Sequence, residues 1–139
     1  MAANQRDLWP AIPTPTNAGF PVTILREQAA ILQNKTHGVV TAEVLSGTGV
    51  PLASGELGEQ YIFHAFYLVA PLLENYRYRL FTVEHPKLEQ MYPLLIKDSP
   101  VGEVKVDTEE GFVEALRKIF TDDKTQKIIQ ALIAQSPLE

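Results

Sequence analysis

The chain contains no cysteine. Disulfides, iron–sulfur clusters, thiolate zinc sites and thiol nucleophiles are therefore excluded, and a reducing compartment is the simplest location. Long apolar runs are also missing, since no stretch approaches the roughly 18 apolar residues of a membrane span, and the N-terminus has no apolar segment behind basic residues. These absences predict a cytoplasmic protein of bacterial type, with neither a signal peptide nor a membrane segment.

Positive charge is scarce as well. The chain has 12 Lys and Arg against 17 Asp and Glu, a net charge of −5. Because a surface that binds duplex nucleic acid must neutralise phosphates, we predict that nucleic acid is not a partner. Charged residues make up 21% and apolar residues 45% of the 139 residues, which is typical of a globular protein. This length and composition predict a single domain over residues 1–139.

The two ends of the chain depart from this globular pattern. Four of the ten prolines lie before residue 22, and because proline removes a backbone donor, residues 1–21 predict an irregular proline-rich arm. The arm carries Leu8, Trp9, Ile12 and Phe20, so we expect it to dock on the body of the protein. The final Leu138 and Glu139 are interpreted as a cloning scar, with a native ending as the alternative.

Three stretches show the three- and four-residue apolar spacing of amphipathic helices. The first covers residues 23–36, with Thr23 as N-cap and Gly38 as a left-handed C-terminal cap. Asp107 and Asp123, each followed three residues later by Glu or Gln, predict capping boxes at the start of two C-terminal helices.

The middle of the chain is rich in β-branched and aromatic residues, which favour strands. The predicted strands are residues 39–46, 61–69, 76–85, 91–97 and 103–106. Pairing Phe66 with Leu80, and Leu80 with Ile96, places the apolar residues of three strands on one face. The predicted fold is α+β: an antiparallel sheet, a meander of three to five strands, with the N-terminal helix and the two C-terminal helices packed on one face.

The second face of this sheet is the basis for a predicted partner. In the predicted register it carries Phe63, Tyr67, Phe81, Val83 and Leu95, more apolar surface than a monomer readily exposes. Three helices cover only one face of a small sheet. We therefore predict a homodimer, or binding to another protein.

A glycine-rich segment separates the first two strands. Residues 46–58 contain four glycines but no basic residue, whereas a phosphate-binding loop needs a helix N-terminus and, in the Walker form, a lysine and a hydroxyl. The segment predicts a mobile connection that is dispensable for folding. No nucleotide or other cofactor is predicted.

The three histidines are the next candidates for chemistry. His37, His64 and His85 show no metal-ligand spacing, so no metal site is predicted. Of the three, only His64 lies within a predicted apolar strand. A hydrogen-bonded histidine, in the core or half-buried, is favoured over a catalytic base or ligand.

The sequence Tyr-Arg-Tyr-Arg at residues 76–79 is the remaining surface signal. We predict that its tyrosines pack under the helices while Arg77 and Arg79 lie on the other face, near acidic residues such as Glu43 or Glu59. The predicted function is protein–protein interaction or self-association, without a recognisable active site or enzymatic activity. The alternative is a small enzyme or ligand-binding protein with a site around His64, Arg77 and Arg79.

Overall fold

The computed structural model describes residues 6–12, 20–49, 60–86 and 88–137. The elements follow in the order α1 (Pro21–Lys35), β1 (Thr41–Gly49), β2 (Tyr61–Ala70), β3 (Tyr76–His85), β4 (Leu94–Lys97), β5 (Val104–Val106), α2 (Glu109–Thr121) and α3 (Asp123–Gln135). The strands form one antiparallel sheet in chain order. The predicted α+β fold is thus confirmed. Within the described ranges, no helix is both long enough and apolar enough to cross a membrane.

The sheet has two faces of different character. We call the face against which the helices pack the helix face. Its side chains form one core with the helices, represented by Phe66, Leu68, Phe81, Val83, Ile96, Leu25, Phe112 and Leu116. We call the opposite face the open face, because none of the described helices packs on it. It carries the alternate residues, chiefly Glu43, Leu45, Tyr61, Phe63, Tyr67, Arg77, Arg79, Glu84, Leu95 and Lys97.

A β-bulge between β2 and β3 changes the register that the sequence predicted. Phe66 pairs with Phe81, which leaves Leu80 as the extra residue, and Ile96 pairs with Val83. The predicted pairs of Leu80 with Phe66 and with Ile96 are therefore wrong. Phe81 and Val83, predicted on the uncovered face, are fully buried on the helix face. The open face is consequently less apolar than predicted.

The helix starts also differ from the predicted ones. Pro21 begins α1, ahead of Thr23, because its fixed φ suits the first helical position and its missing N–H is not needed there. Thr108 and Asp122 cap α2 and α3, each one residue from the predicted cap, and each accepts a backbone N–H at 3.0 Å. Gly38 adopts the predicted left-handed conformation, with φ +81°.

The N-terminal arm packs on the body only at its end, where Pro21 is buried and Phe20 is half-buried, and not at residues 6–12. Leu8, Trp9 and Ile12 are 81%, 78% and 73% exposed, so the predicted docking is wrong for residues 6–12. The arm residues 13–19 lie outside the described residues. Three large apolar side chains therefore remain in solvent in a single copy of the chain.

Candidate functional site

Two aromatic rings of the open face lie over glycines of β1. Gly47 pairs with Phe63 and Gly49 pairs with Tyr61. A Cβ atom on Gly47 would lie 2.7 Å from the Phe63 ring, and one on Gly49 would collide with the Tyr61 ring. The rings thus lie close against the β1 backbone and supply packing that glycine itself lacks.

This arrangement corrects the prediction for the glycine-rich segment. Residues 46–49 belong to β1 and are not a mobile connection, whereas residues 50–58 lie outside the described residues. Glycine interrupts the β-branched pattern of the strand, so the sequence predicted too early an end. The compensating rings come from β2, and their effect is visible only when the register is known.

Arg77 occupies the next part of the open face. Its Nη2 atom lies 3.2 Å from Glu43 Oε2, and its Cζ atom lies 4.7 Å from the centre of the Tyr67 ring. The predicted proximity of Arg77 to Glu43 is confirmed. On the other face, Tyr78 packs against the core as predicted, whereas Tyr76, for which the same packing was predicted, is 54% exposed. The guanidinium group therefore combines an ion pair with a cation–π contact on the open face.

Two further cations of the open face also have acidic neighbours. Arg79 Nη2 lies 3.7 Å from Asp98 Oδ2, and Lys97 Nζ lies 3.2 Å from Glu84 Oε1. The hydrogen bond to Glu84, followed by its charge, raises the pKa of Lys97. These pairs are solvent-exposed and contribute little to stability. Their effect is to leave the open face aromatic, with positive and negative charges interspersed.

His64 lies on the helix face, beside residues that the sequence did not connect with it. Its Nδ1 atom is 2.6 Å from Ser46 Oγ, and its ring centre is 5.5 Å from that of His85. Burial, together with the charges of His85 and Arg26, lowers the pKa of His64 to about 4. The imidazole is therefore neutral at pH 7 and hydrogen-bonded, as favoured from the sequence.

The two histidines border a small apolar hollow of about 180 Å³ at the start of α1. Ile62 and Met91 line it together with the rings of His64 and His85, and Phe20 closes the side next to α1. The hollow is smaller than most pockets for small molecules. Among the described residues, no group of three or more His, Asp or Glu is placed to hold a metal ion.

The structure does not bring the three candidate site residues together. His64 lies on the helix face, whereas Arg77 covers Tyr67 on the open face, three residues further along β2. Arg79 lies on the open face with Arg77, because alternate residues of a strand share a face. A single site around His64, Arg77 and Arg79 is therefore not formed, since the sheet separates the histidine from both arginines.

Comparisons with known proteins do not add a functional assignment. No model of a known protein family, no curated protein and no solved structure matches the chain. The open face and the histidine hollow are therefore assessed by their own geometry.

Proposed function

We propose that the protein functions by self-association, with two copies forming a homodimer through the open faces of their sheets. The observation that carries this proposal is the aromatic and arginine-containing open face, on which none of the described helices packs. Aromatic residues and arginine are the residue types enriched in protein interfaces. The exposed Leu8, Trp9 and Ile12 are further apolar surface that, in this proposal, a second copy covers.

The charges of the open face favour a second copy as the partner. In a two-fold dimer the same patch contacts itself, so a patch of one sign would repel its copy. Here three cations have an acidic neighbour: Glu43 beside Arg77, Asp98 beside Arg79, and Glu84 beside Lys97. Lys105, which pairs with Leu95 on the same face, has no ion pair among the described residues. Such a face is compatible with itself and offers little net attraction to a polyanion.

The size of the face sets the expected affinity. The three long strands are each nine or ten residues, which is about 33 Å long and about 14 Å wide at ordinary strand spacings. Each copy therefore contributes about 500 Å², and the total of about 1,000 Å² is at the lower limit for a specific interface. We expect a dimer with a dissociation constant in the micromolar range.

Sedimentation equilibrium across a range of concentrations tests this proposal. Leu45 is 43% exposed on the open face, and Leu45→Glu should weaken the dimer at least tenfold because it places a carboxylate in the interface. Ile31→Glu is the matched control: Ile31 is 44% exposed, but it lies on α1. Its dimer should be as stable as that of the wild type.

Two results would contradict the proposal. One is a wild-type protein that stays monomeric at several hundred micromolar. The other is a dimer that Leu45→Glu leaves intact while the variant remains folded by circular dichroism. Removal of residues 1–12 separates the role of the arm, because a purely sheet-based dimer would not respond to it.

A catalytic or ligand-binding role for His64 is the second candidate. It is favoured by the 2.6 Å contact between His64 Nδ1 and Ser46 Oγ, since a neutral imidazole beside a hydroxyl is the arrangement that activates a nucleophile. A fluorophosphonate reagent should then label Ser46 in the wild type but not in His64→Gln. Absence of labelling in the wild type would exclude this serine as a nucleophile activated by His64.

A further inference from the structure

A cleft separates α1 from the two C-terminal helices on the helix face of the sheet. α1 packs chiefly on β1, whereas α3 packs on β2, and α2 packs on β5 and on α3. The space between them holds two cavities of about 270 and 210 Å³, both lined by Gln28, Phe120 and Thr121. We call these two adjoining cavities the helix cleft. It lies on the other side of the sheet from the proposed dimer interface and is therefore a separate site.

The lining that a ligand can reach in the helix cleft is mainly apolar. Ile31 is 44% exposed and Val113 is 37% exposed. Leu32, Phe120 and Ile129 are half-buried, and the almost fully buried side chains of the sheet form the floor beneath them. Together the two cavities reach the size of ordinary small-molecule sites, which are concave and mostly apolar.

Four polar side chains of the lining have partners or are out of reach. The Thr121 hydroxyl donates to the Arg117 carbonyl at 2.7 Å, and the Gln126 amide donates to a backbone carbonyl at 2.6 Å. The Arg117 guanidinium group pairs with Glu114 at 2.7 Å. Thr125 is fully buried, so a ligand in the cleft cannot touch its hydroxyl. None of these four groups is therefore left to select a ligand.

Two polar side chains of α1, Gln28 and Lys35, are left for a ligand. Neither side chain makes a hydrogen bond or an ion pair with another described residue. Gln28 is half-buried midway along the cleft, whereas Lys35 is exposed at its end. Of the described residues that line the cleft, none is acidic, and since Arg117 is paired, Lys35 is the cation without a counter-charge. An ammonium group at the end of an apolar cleft favours an anion with an apolar body.

The length of the cleft defines the apolar body of that anion. Along α1 the lining extends from Ile24 to Lys35, which is about 16 Å at a rise of about 1.5 Å per residue. An extended chain advances about 1.2 Å per bond, so about 13 bonds cover this length. We propose that the helix cleft binds a long-chain carboxylate, with its alkyl chain along α1 and its carboxylate at Lys35.

Calorimetric titration with carboxylates of increasing chain length tests the fit of the alkyl chain. From octanoate through decanoate to dodecanoate, each below its micelle concentration, every added methylene should tighten binding about 2- to 4-fold because it buries more apolar surface. The gain should end near tetradecanoate, whose chain fills the cleft, so hexadecanoate should bind no more tightly. In two-dimensional NMR of the isotope-labelled protein, dodecanoate should shift Leu32, Phe120 and Ile129 most.

Variants at Lys35 test the position of the carboxylate. Lys35→Met keeps an apolar stem but removes the charge, so it should weaken dodecanoate about 2- to 5-fold, the range of an exposed ion pair, and leave the affinity for dodecan-1-ol unchanged. Lys35→Arg should retain the affinity for dodecanoate. Gln28→Met and Arg117→Met are the matched controls, because they change the other polar groups along the cleft. Both should leave the ratio of the two affinities as in the wild type.

Several results would overturn the proposal. The first is a wild type that shows no saturable binding of dodecanoate, or a tightening that continues unchanged to hexadecanoate. Equal weakening of dodecanoate and dodecan-1-ol by Lys35→Met, or a changed ratio in Arg117→Met alone, would exclude Lys35 as the partner of the carboxylate. Dodecyltrimethylammonium that binds as tightly as dodecanoate would show that charge does not select the ligand, and tighter binding of dodecyl phosphate would exclude a carboxylate as the preferred head group. NMR shifts centred on His64 or on the open face would place the ligand elsewhere.

Discussion

The close contact between Phe63 and Gly47 makes the strongest prediction for stability. In Gly47→Ala the new methyl group would lie 2.7 Å from the Phe63 ring, so the ring must move away from β1. Full burial of a phenylalanine side chain stabilises a protein by about 1.5–3 kcal/mol. Since Phe63 is only half-buried, its displacement should cost about 1–2 kcal/mol.

An opposing effect reduces this loss. Replacement of glycine by alanine restricts the unfolded chain and stabilises a compatible site by about 0.4–1 kcal/mol. We therefore expect the free energy of unfolding of Gly47→Ala to fall by about 1 kcal/mol. In a Phe63→Ala background the ring is absent, and the same substitution should raise this free energy by about 0.5 kcal/mol.

A double-mutant cycle of Gly47→Ala and Phe63→Ala, measured by urea denaturation, isolates the contact. The two substitutions should couple by about 1.5 kcal/mol, because each removes the same packing of a ring on a backbone. Thr48→Ala is the control in the same strand; its exposed side chain should change stability by less than about 0.5 kcal/mol. A coupling below about 0.5 kcal/mol, or a stabilising Gly47→Ala in the wild-type background, would refute the contact.

Two further predictions concern the helix face. Because the folded-state pKa of His64, about 4, lies below its ordinary value of 6.5, the stability conferred by its neutral form is complete above pH 6.5 and is lost as pH falls toward 4. In urea denaturation, the free energy of unfolding of the wild type should fall by about 2 kcal/mol more than that of His64→Gln between pH 7 and pH 4. This is less than the full pKa difference implies, because solvent reaches the hollow. The control His37→Asn should follow the wild type, and equal falls in the wild type and His64→Gln would contradict the prediction. Leu116 is 3% exposed, so Leu116→Ala should lower the free energy of unfolding by about 2–5 kcal/mol. Ile129 is half-buried beside a cavity of about 270 Å³ between α1 and the C-terminal helices, so Ile129→Ala should lower this free energy by only about 1–2 kcal/mol. The control Lys118→Ala, at an exposed position, should lower it by less than about 0.5 kcal/mol. Equal effects at Leu116 and Lys118 would show that the buried and exposed faces of α2 are misassigned.

Features set by neighbouring residues were predicted well. The strand Tyr76–His85 has the predicted bounds, and the caps of α2 and α3 lie one residue from those predicted. Apolar periodicity and capping chemistry act within a few residues, so a single sequence reveals them. The position of Arg77 near Glu43 was also predicted, because alternate residues of a strand lie on the same face.

Contacts between distant segments were predicted poorly. The bulge at Leu80 shifted the register of β3 by one residue, and that shift moved Phe81 and Val83 from the open face into the core. Nothing local in the sequence marks this bulge, because its position depends on how β2, β4 and the helices pack together. The candidate site of His64, Arg77 and Arg79 is not formed because His64 lies on the helix face of the sheet, whereas both arginines lie on the open face.

The sequence by itself determined the α+β class, the order of the elements and the absence of cysteine chemistry, because composition, periodicity and caps act locally. Only the tertiary structure decided which side chains meet. It brought Ser46 to His64, laid Phe63 over Gly47, and buried the Thr125 hydroxyl away from an acceptor. Each of these depends on the register of two strands or on the docking of a helix, and such long-range choices are made by the packing of the whole core.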